Sequence, residues 1–116
     1  MTATVADAQS RVEGTTAVID LTGDINRTAE PVLTAAYAEV LAADCTNIIL
    51  NFAGTDFINS TGIAVIVGLL ARARQEGRTV SACGLTDHYQ HIFEITRLAD
   101  FMPMFPDEVT ARSKVS

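Results

Sequence analysis

The strongest constraint on this chain is the contrast across Asp56-Phe57-Ile58-Asn59-Ser60-Thr61-Gly62. Before it, Asn47-Ile48-Ile49-Leu50-Asn51-Phe52 is a short run of β-branched and bulky apolar residues, the pattern of a strand covered on both faces. After it, Ile63, Ile66, Val67, Leu70 and Ala73 recur at helical spacing, and the first charge is Arg72. A buried strand feeding directly into an apolar helix requires a layered α/β arrangement. Between the two lie Asn59, Ser60 and Thr61, residue types whose side chains accept hydrogen bonds from the free N–H groups of a helix's first turn. One of them caps the helix.

The start of that helix has a second property. Its unpaired amides and dipole produce a local positive field that tolerates an anion. A phosphate arrives there either as a bound ligand or as a covalent modification of Ser60 or Thr61. The plainer reading is that Ser-Thr-Gly forms only a cap and a tight turn.

The rest of the chain alternates strands with helices. Thr16-Ala17-Val18-Ile19-Asp20-Leu21-Thr22 reads as a strand, and Glu13-Gly14-Thr15 separates it from a weaker one over residues 4–13, giving an N-terminal hairpin. Gly23-Asp24-Ile25-Asn26 breaks the pattern. Thr28 and Pro31 then suit the start of a helix running to about Ala43, with Ala29, Leu33, Ala36, Tyr37 and Val40 as its buried stripe. The helix after the central turn ends at Gln75-Glu76-Gly77. Thr79-Val80-Ser81-Ala82-Cys83 is another strand, and a helix capped by Thr86 or Asp87 follows it. Phe101-Met102-Pro103-Met104-Phe105-Pro106 is too rich in proline for a central strand, so a strand there lies at an edge, and Asp107 caps a last short helix. Right-handed crossovers place the strand over residues 47–52 in the sheet interior.

Composition narrows the function classes. A length of 116 residues with 48% apolar content suits one domain, residues 1–116, with a single core. A net charge of −6 argues against nucleic acid and anionic lipid as partners. No apolar run approaches the roughly 20 residues of a membrane span, and the N-terminus lacks a leader pattern, so a cytoplasmic location is expected. Cys45 and Cys83 lack metal-ligand spacing and read as small core residues. His88 and His91 are three apart on one helix without a third ligand, so no metal is expected. The Gly54 to Gly62 region has the glycine spacing of neither a P-loop nor a dinucleotide fingerprint, and no Cys-His pair is evident. No catalytic residue, enzymatic activity or cofactor is expected.

A positive signal comes from the helix that begins at Ser60. Its positions away from the core stripe include Ala64, Gly68 and Ala71, all small and within a charge-free stretch. Such a face either admits another protein closely or is covered by another element of the same chain.

Phe57-Ile58-Asn59-Ser60-Thr61-Gly62-Ile63 resembles the Asp-Ser-Ser/Thr-Gly-Leu signature of the STAS domain family, and of its bacterial anti-sigma factor antagonists in particular. Gly23-Asp24-Ile25-Asn26 with Thr28-Ala29, Gly84-Leu85 and Arg97-Leu98 support the likeness, which covers most of the chain. The resemblance implies a mixed sheet of about four to five strands with an N-terminal hairpin, flanked by about four helices. It also implies a partner-switching regulator that binds an anti-sigma serine-protein kinase when unphosphorylated, is released by phosphorylation, and is reset by a phosphatase. The acceptor carried over is Ser60, with Thr61 as the alternative. The partner surface comprises Asn26, Asn59, Ser60, Thr61, Gly62, Ala64 and Gly68. Asn26 and Asn59 stand where the family usually has Asp, which removes two negative charges from that surface. The alternative function is a STAS binding or scaffold module that is never phosphorylated and holds a small anion or nucleotide at the helix N-terminus.

Overall fold

In the computed structural model, which describes residues 5–115, β1 (Asp7–Glu13) and β2 (Thr16–Ile25) form the expected hairpin, turning at Gly14 with φ +63. Residues 1–4, part of the stretch read as leader-free, and residue 116 lie outside the described residues. After β2 come α1 (Ala29–Ala42), β3 (Asn47–Ile58), α2 (Ser60–Gln75), β4 (Thr79–Cys83), α3 (Asp87–Ile95), a 3-10 turn (Leu98–Asp100), β5 (Met104–Phe105) and α4 (Glu108–Val115). The strands form one five-stranded sheet in sequence order, with β1 antiparallel to β2 and the remaining pairs parallel. β3 is therefore central and β5 is the short edge strand that its flanking prolines demand.

Strand alternation divides the apolar side chains between two clusters. Ile19 and Leu21 of β2, Ile48, Leu50 and Phe52 of β3, and Val80 and Ala82 of β4 share the main core with α1, α2 and α3. The buried stripe of α1 is the expected set, Ala29, Leu33, Ala36, Tyr37 and Val40. On the opposite side of the sheet, Val18, Ile49 and Cys83 meet Ala111 of α4 in a smaller cluster, with Phe105 packed against it. Cys45 lies in the main core and Cys83 in the smaller one, both as buried free thiols.

Two expectations need correction. β2 and β3 are longer than the sequence pattern suggests, continuing to Ile25 and Ile58, which pair with each other in register. Burial of both isoleucines, 0% and 4% exposed, outweighs the Gly23-Asp24 interruption, which survives only as register shifts between Asp20 and Thr22 and between Gly23 and Asp24. The second correction concerns the core stripe of α2. It consists of Gly62, Ile66, Leu69, Leu70 and Ala73, whereas Val67 is 44% exposed and Ile63 is only partly buried.

The reason lies at Gly62. A Cβ built there would fall 1.9 Å from the Ile25 carbonyl oxygen and 3.2 Å from the Asn26 nitrogen, so the first turn of α2 rests directly on the backbone at the end of β2. That contact sets the rotation of the helix, turning Leu69 inward and Val67 outward. Gly68, on the same helix, faces open space, with nothing within 4 Å of a built Cβ. The two glycines should therefore respond oppositely to alanine. Gly62→Ala is expected to destabilise the fold by about 1–3 kcal/mol through overpacking. Gly68→Ala should stabilise it by about 0.5–1 kcal/mol through helix propensity. Urea denaturation of the two variants beside wild type measures both signs, and a loss of stability at Gly68 would show that its face is covered.

Candidate functional site

The site is built where the ends of β2 and β3 meet the start of α2. Asn59 has extended backbone, φ −96 and ψ −179, and is the N-cap of α2. Its side-chain oxygen accepts from the Gly62 N–H at 2.8 Å and from the Thr61 hydroxyl at 2.7 Å. Its carbonyl accepts from the Ile63 N–H at 2.9 Å, and its own N–H donates to the Ile25 carbonyl at 3.2 Å. These bonds settle which of the three candidates caps the helix, and they tie the turn to β2.

The same network distinguishes the two hydroxyls. Thr61 is engaged by Asn59, while the exposed Ser60 hydroxyl has no hydrogen-bond partner among the described residues. With Gly62 and Ile63 capped, the Ser60 and Thr61 amides are the donors left without a partner among the described residues, as a helix start leaves them. No acidic residue lies in the first turn of α2. An anionic group on the Ser60 oxygen would therefore meet the positive end of the helix dipole without a carboxylate in that turn to oppose it.

Asn26 sits at the end of β2, half-buried, and shapes the turn into α1. Its side-chain oxygen accepts from the Thr28 N–H at 2.9 Å and from the Thr28 hydroxyl, and its carbonyl accepts from the Ala29 N–H at 3.0 Å. Gly62 is buried, so among the expected partner-surface residues it is the one whose visible work is packing. Asn26, Asn59, Ser60 and Thr61 gather at one end of the sheet. Ala64 and Gly68 continue away from them along the exposed side of α2.

Within the described residues, nothing in the chain covers that side. Ala64, Val67, Gly68 and Ala71 are all exposed, which removes the reading that another element packs over them. A groove of about 260 Å³ runs between α1 and α2, lined by Glu30, Leu33, Ala64, Val65, Gly68 and Arg72 among others. A second hollow of about 300 Å³, lined by Arg27, Glu30, Thr61, Ala64 and Val65, continues it toward the turn. Tyr37 of α1 is fully buried beneath Arg72, one of the groove's lining residues. Its hydroxyl donates to the Glu76 carboxylate, and the Arg72 guanidinium lies 4.8 Å from its ring centre. Burial, and then that carboxylate, push the Tyr37 hydroxyl above its ordinary pKa.

Sequence reasoning did not connect Tyr89 to the turn. This buried tyrosine of α3 accepts from the Ile58 N–H at 2.9 Å, pinning the last residue of β3 one position before the cap. The available signal was an aromatic residue with a polar tip on the apolar stripe of a short helix. Phe57, 52% exposed immediately before the turn, also went unassigned to a surface. His88 and His91 are exposed on α3, and the described residues contain no group of three or more potential metal-ligating side chains. No helix among them is long and apolar enough to cross a membrane.

Comparison with known proteins agrees with this architecture. Over 99 residues the chain is 22% identical to an anti-sigma F factor antagonist of Paenibacillus polymyxa, covering 84% of this chain and 85% of that protein. The crystal structure of an anti-sigma factor antagonist from Mycobacterium paratuberculosis superposes with a TM-score of 0.79 at 16% identity, covering 95% of this chain and 93% of the other. The Bacillus cell fate determinant SpoIIAA in its phosphorylated form gives 0.71 at 21% identity, with 94% and 99% covered. These structures share the fold. A family model for the STAS domain matches residues 7–111, from the first residue of β1 into α4. The chain belongs to the STAS domain family.

Proposed function

We propose that the chain is an anti-sigma factor antagonist that works by partner switching, with Ser60 as its phosphorylation site. The observation that carries this reading is the exposed Ser60 hydroxyl, without a hydrogen-bond partner among the described residues, at the start of a helix whose outer face is small, uncharged and open. The unphosphorylated protein binds an anti-sigma kinase through the turn and the exposed side of α2. In the kinase's active site the Ser60 oxygen attacks the γ-phosphorus of ATP, the bond to the bridging oxygen breaks, ADP departs, and the hydroxyl proton passes to a base on the kinase. A phosphatase restores the hydroxyl.

The added charge of close to −2 falls where the dipole and the two spare amides favour it. The domain therefore keeps its fold, and the cost of phosphorylation falls on the docked partner, whose surface then faces a new dianion. The relatives' names support this reading, since both the Paenibacillus polymyxa and Mycobacterium paratuberculosis proteins are called anti-sigma factor antagonists and SpoIIAA has been captured phosphorylated.

Incubation with an anti-sigma kinase and ATP, followed by peptide mapping, should place the phosphate on Ser60. Ser60→Ala should abolish labelling and Thr61→Ala should leave it intact. Label on Thr61 alone would overturn the assignment to Ser60, and label on neither residue would remove the switch and favour the unphosphorylated binding module.

Asn59 supplies a second test, because its two roles separate. Asp presents the same capping oxygen, so Asn59→Asp should change stability by no more than ~1 kcal/mol. A carboxylate beside Ser60 alters the charge that a kinase meets, and charged rims govern encounter rate and partner rejection. Thermal melts should therefore stay close to wild type while association rates across a panel of anti-sigma kinases change. The reverse pattern would make Asn59 purely structural.

A further inference from the structure

The last helix is attached differently from the others. Among its described side chains Ala111 is fully buried, while Val109 is 78% exposed. It lies on β3, β4 and β5, and its attachment runs through charge. Arg11 of β1 bridges Asp20 of β2 and Glu108 of α4, at 2.6 Å to each. Arg112 of α4 bridges Glu13 of β1 at 3.1 Å and Glu108 at 2.8 Å. Asp107 caps the helix through the Thr110 N–H at 2.8 Å. The bridging side chains remain partly open to solvent, from 26% for Glu108 to 78% for Glu13, so salt can screen them.

What the helix covers is apolar, with one misfit. Val18, Ile49 and Cys83 are almost fully buried beside Ala111. Ser81 shares the face of β4 that carries Cys83, is 3% exposed, and its hydroxyl has no hydrogen-bond partner among the described residues. A buried hydroxyl without a partner favours any opening that admits water.

We propose that α4 is a charge-held strap that opens locally, uncovering Cys83 and the second face of the sheet while the main core stays folded. Arg11 and Glu13 on β1, Asp20 on β2, Cys83 on β4, and Asp107, Glu108 and Arg112 around α4 are the ionisable groups of this contact. Hydrogen bonds from Arg11 hold the Asp20 and Glu108 carboxyls below their ordinary range, with Arg112 adding to the effect at Glu108. Burial, and then Glu108 and Asp107, push the closed-state Cys83 thiol up to about 11. Closed, the thiol is shielded and protonated. Open, it is reactive. The strap lies on the side of the sheet away from α2, so the device is separate from the Ser60 turn.

The two cysteines make the test internal to the molecule, because Cys45 reports the main core and Cys83 the space beneath α4. Iodoacetamide labelling of the whole chain, read by peptide mass spectrometry, follows each thiol separately. Glu108→Ala removes a carboxylate that both arginines use, and should raise the Cys83 rate about tenfold with Cys45 unchanged. Wild type in about 1 M sodium chloride, where the Debye length is about 3 Å, should show a smaller rise at Cys83 alone. This salt arm decides the matter if Glu108→Ala fails to fold. Acceleration of both thiols together would mean that α4 opens only with the whole domain, and an unchanged Cys83 rate would mean that charge does not hold it; either overturns the proposal.

Discussion

The contact between Gly62 and the backbone at Ile25 is the constraint on which the rest of the site depends. An α-helix can rest on the end of a neighbouring strand at this distance only if the touching residue has no side chain, because a Cβ would sit 1.9 Å from the carbonyl oxygen. The contact holds the start of α2 beside the end of β2 and so brings Asn59 and Asn26 to one place. It also sets the rotation of α2 about its axis. Ile66, Leu69, Leu70 and Ala73 consequently enter the core, and Ala64, Val67, Gly68 and Ala71 are left outside.

This arrangement gives α2 two separable tasks. The buried stripe supports the sheet, and the exposed stripe offers a small, uncharged surface that begins at the exposed Ser60. Asn59 links the two, since it caps the helix and in doing so occupies the Thr61 hydroxyl, while Ser60 beside it is exposed. Tyr89 adds a contact from α3, fixing Ile58, so the position of the turn is defined by three elements. A phosphoryl group on Ser60 adds charge at a point the fold already favours. In the proposed switch the domain itself is thus a rigid presenter, and the change of affinity arises at the partner's surface.

Much of the fold was legible because it follows from periodicity. The stripe of α1 and the limits of β4 follow from spacing and from Gly77 and Gly84, and the caps Thr86 and Asp107 follow from residue chemistry. The misreadings share a cause, which is tertiary contact overriding local pattern. Gly23-Asp24 is a break by propensity, yet the pairing of Ile25 with Ile58 carries both strands past it. Val67 fits the helical stripe as well as Leu69 does, and only the close approach at Gly62 decides between them. For the site, the sequence offered two equivalent hydroxyls and three equivalent caps. Hydrogen-bond geometry distinguishes them, and no spacing rule encodes the Thr61–Asn59 bond.

The central claim is that the open face of α2 receives the partner, and one titration tests it most directly. Gly68 lies in that face with free space around it, so Gly68→Arg leaves the fold intact while placing a charged side chain where the partner must sit. Isothermal titration of wild type and Gly68→Arg against an anti-sigma kinase that binds the wild type, with circular dichroism to verify the fold, gives the answer. The account predicts an affinity loss of at least about tenfold with an unchanged spectrum, in keeping with the cost of burying an unpaired charge. Unchanged affinity in the folded variant would contradict it and move the interface elsewhere on the domain.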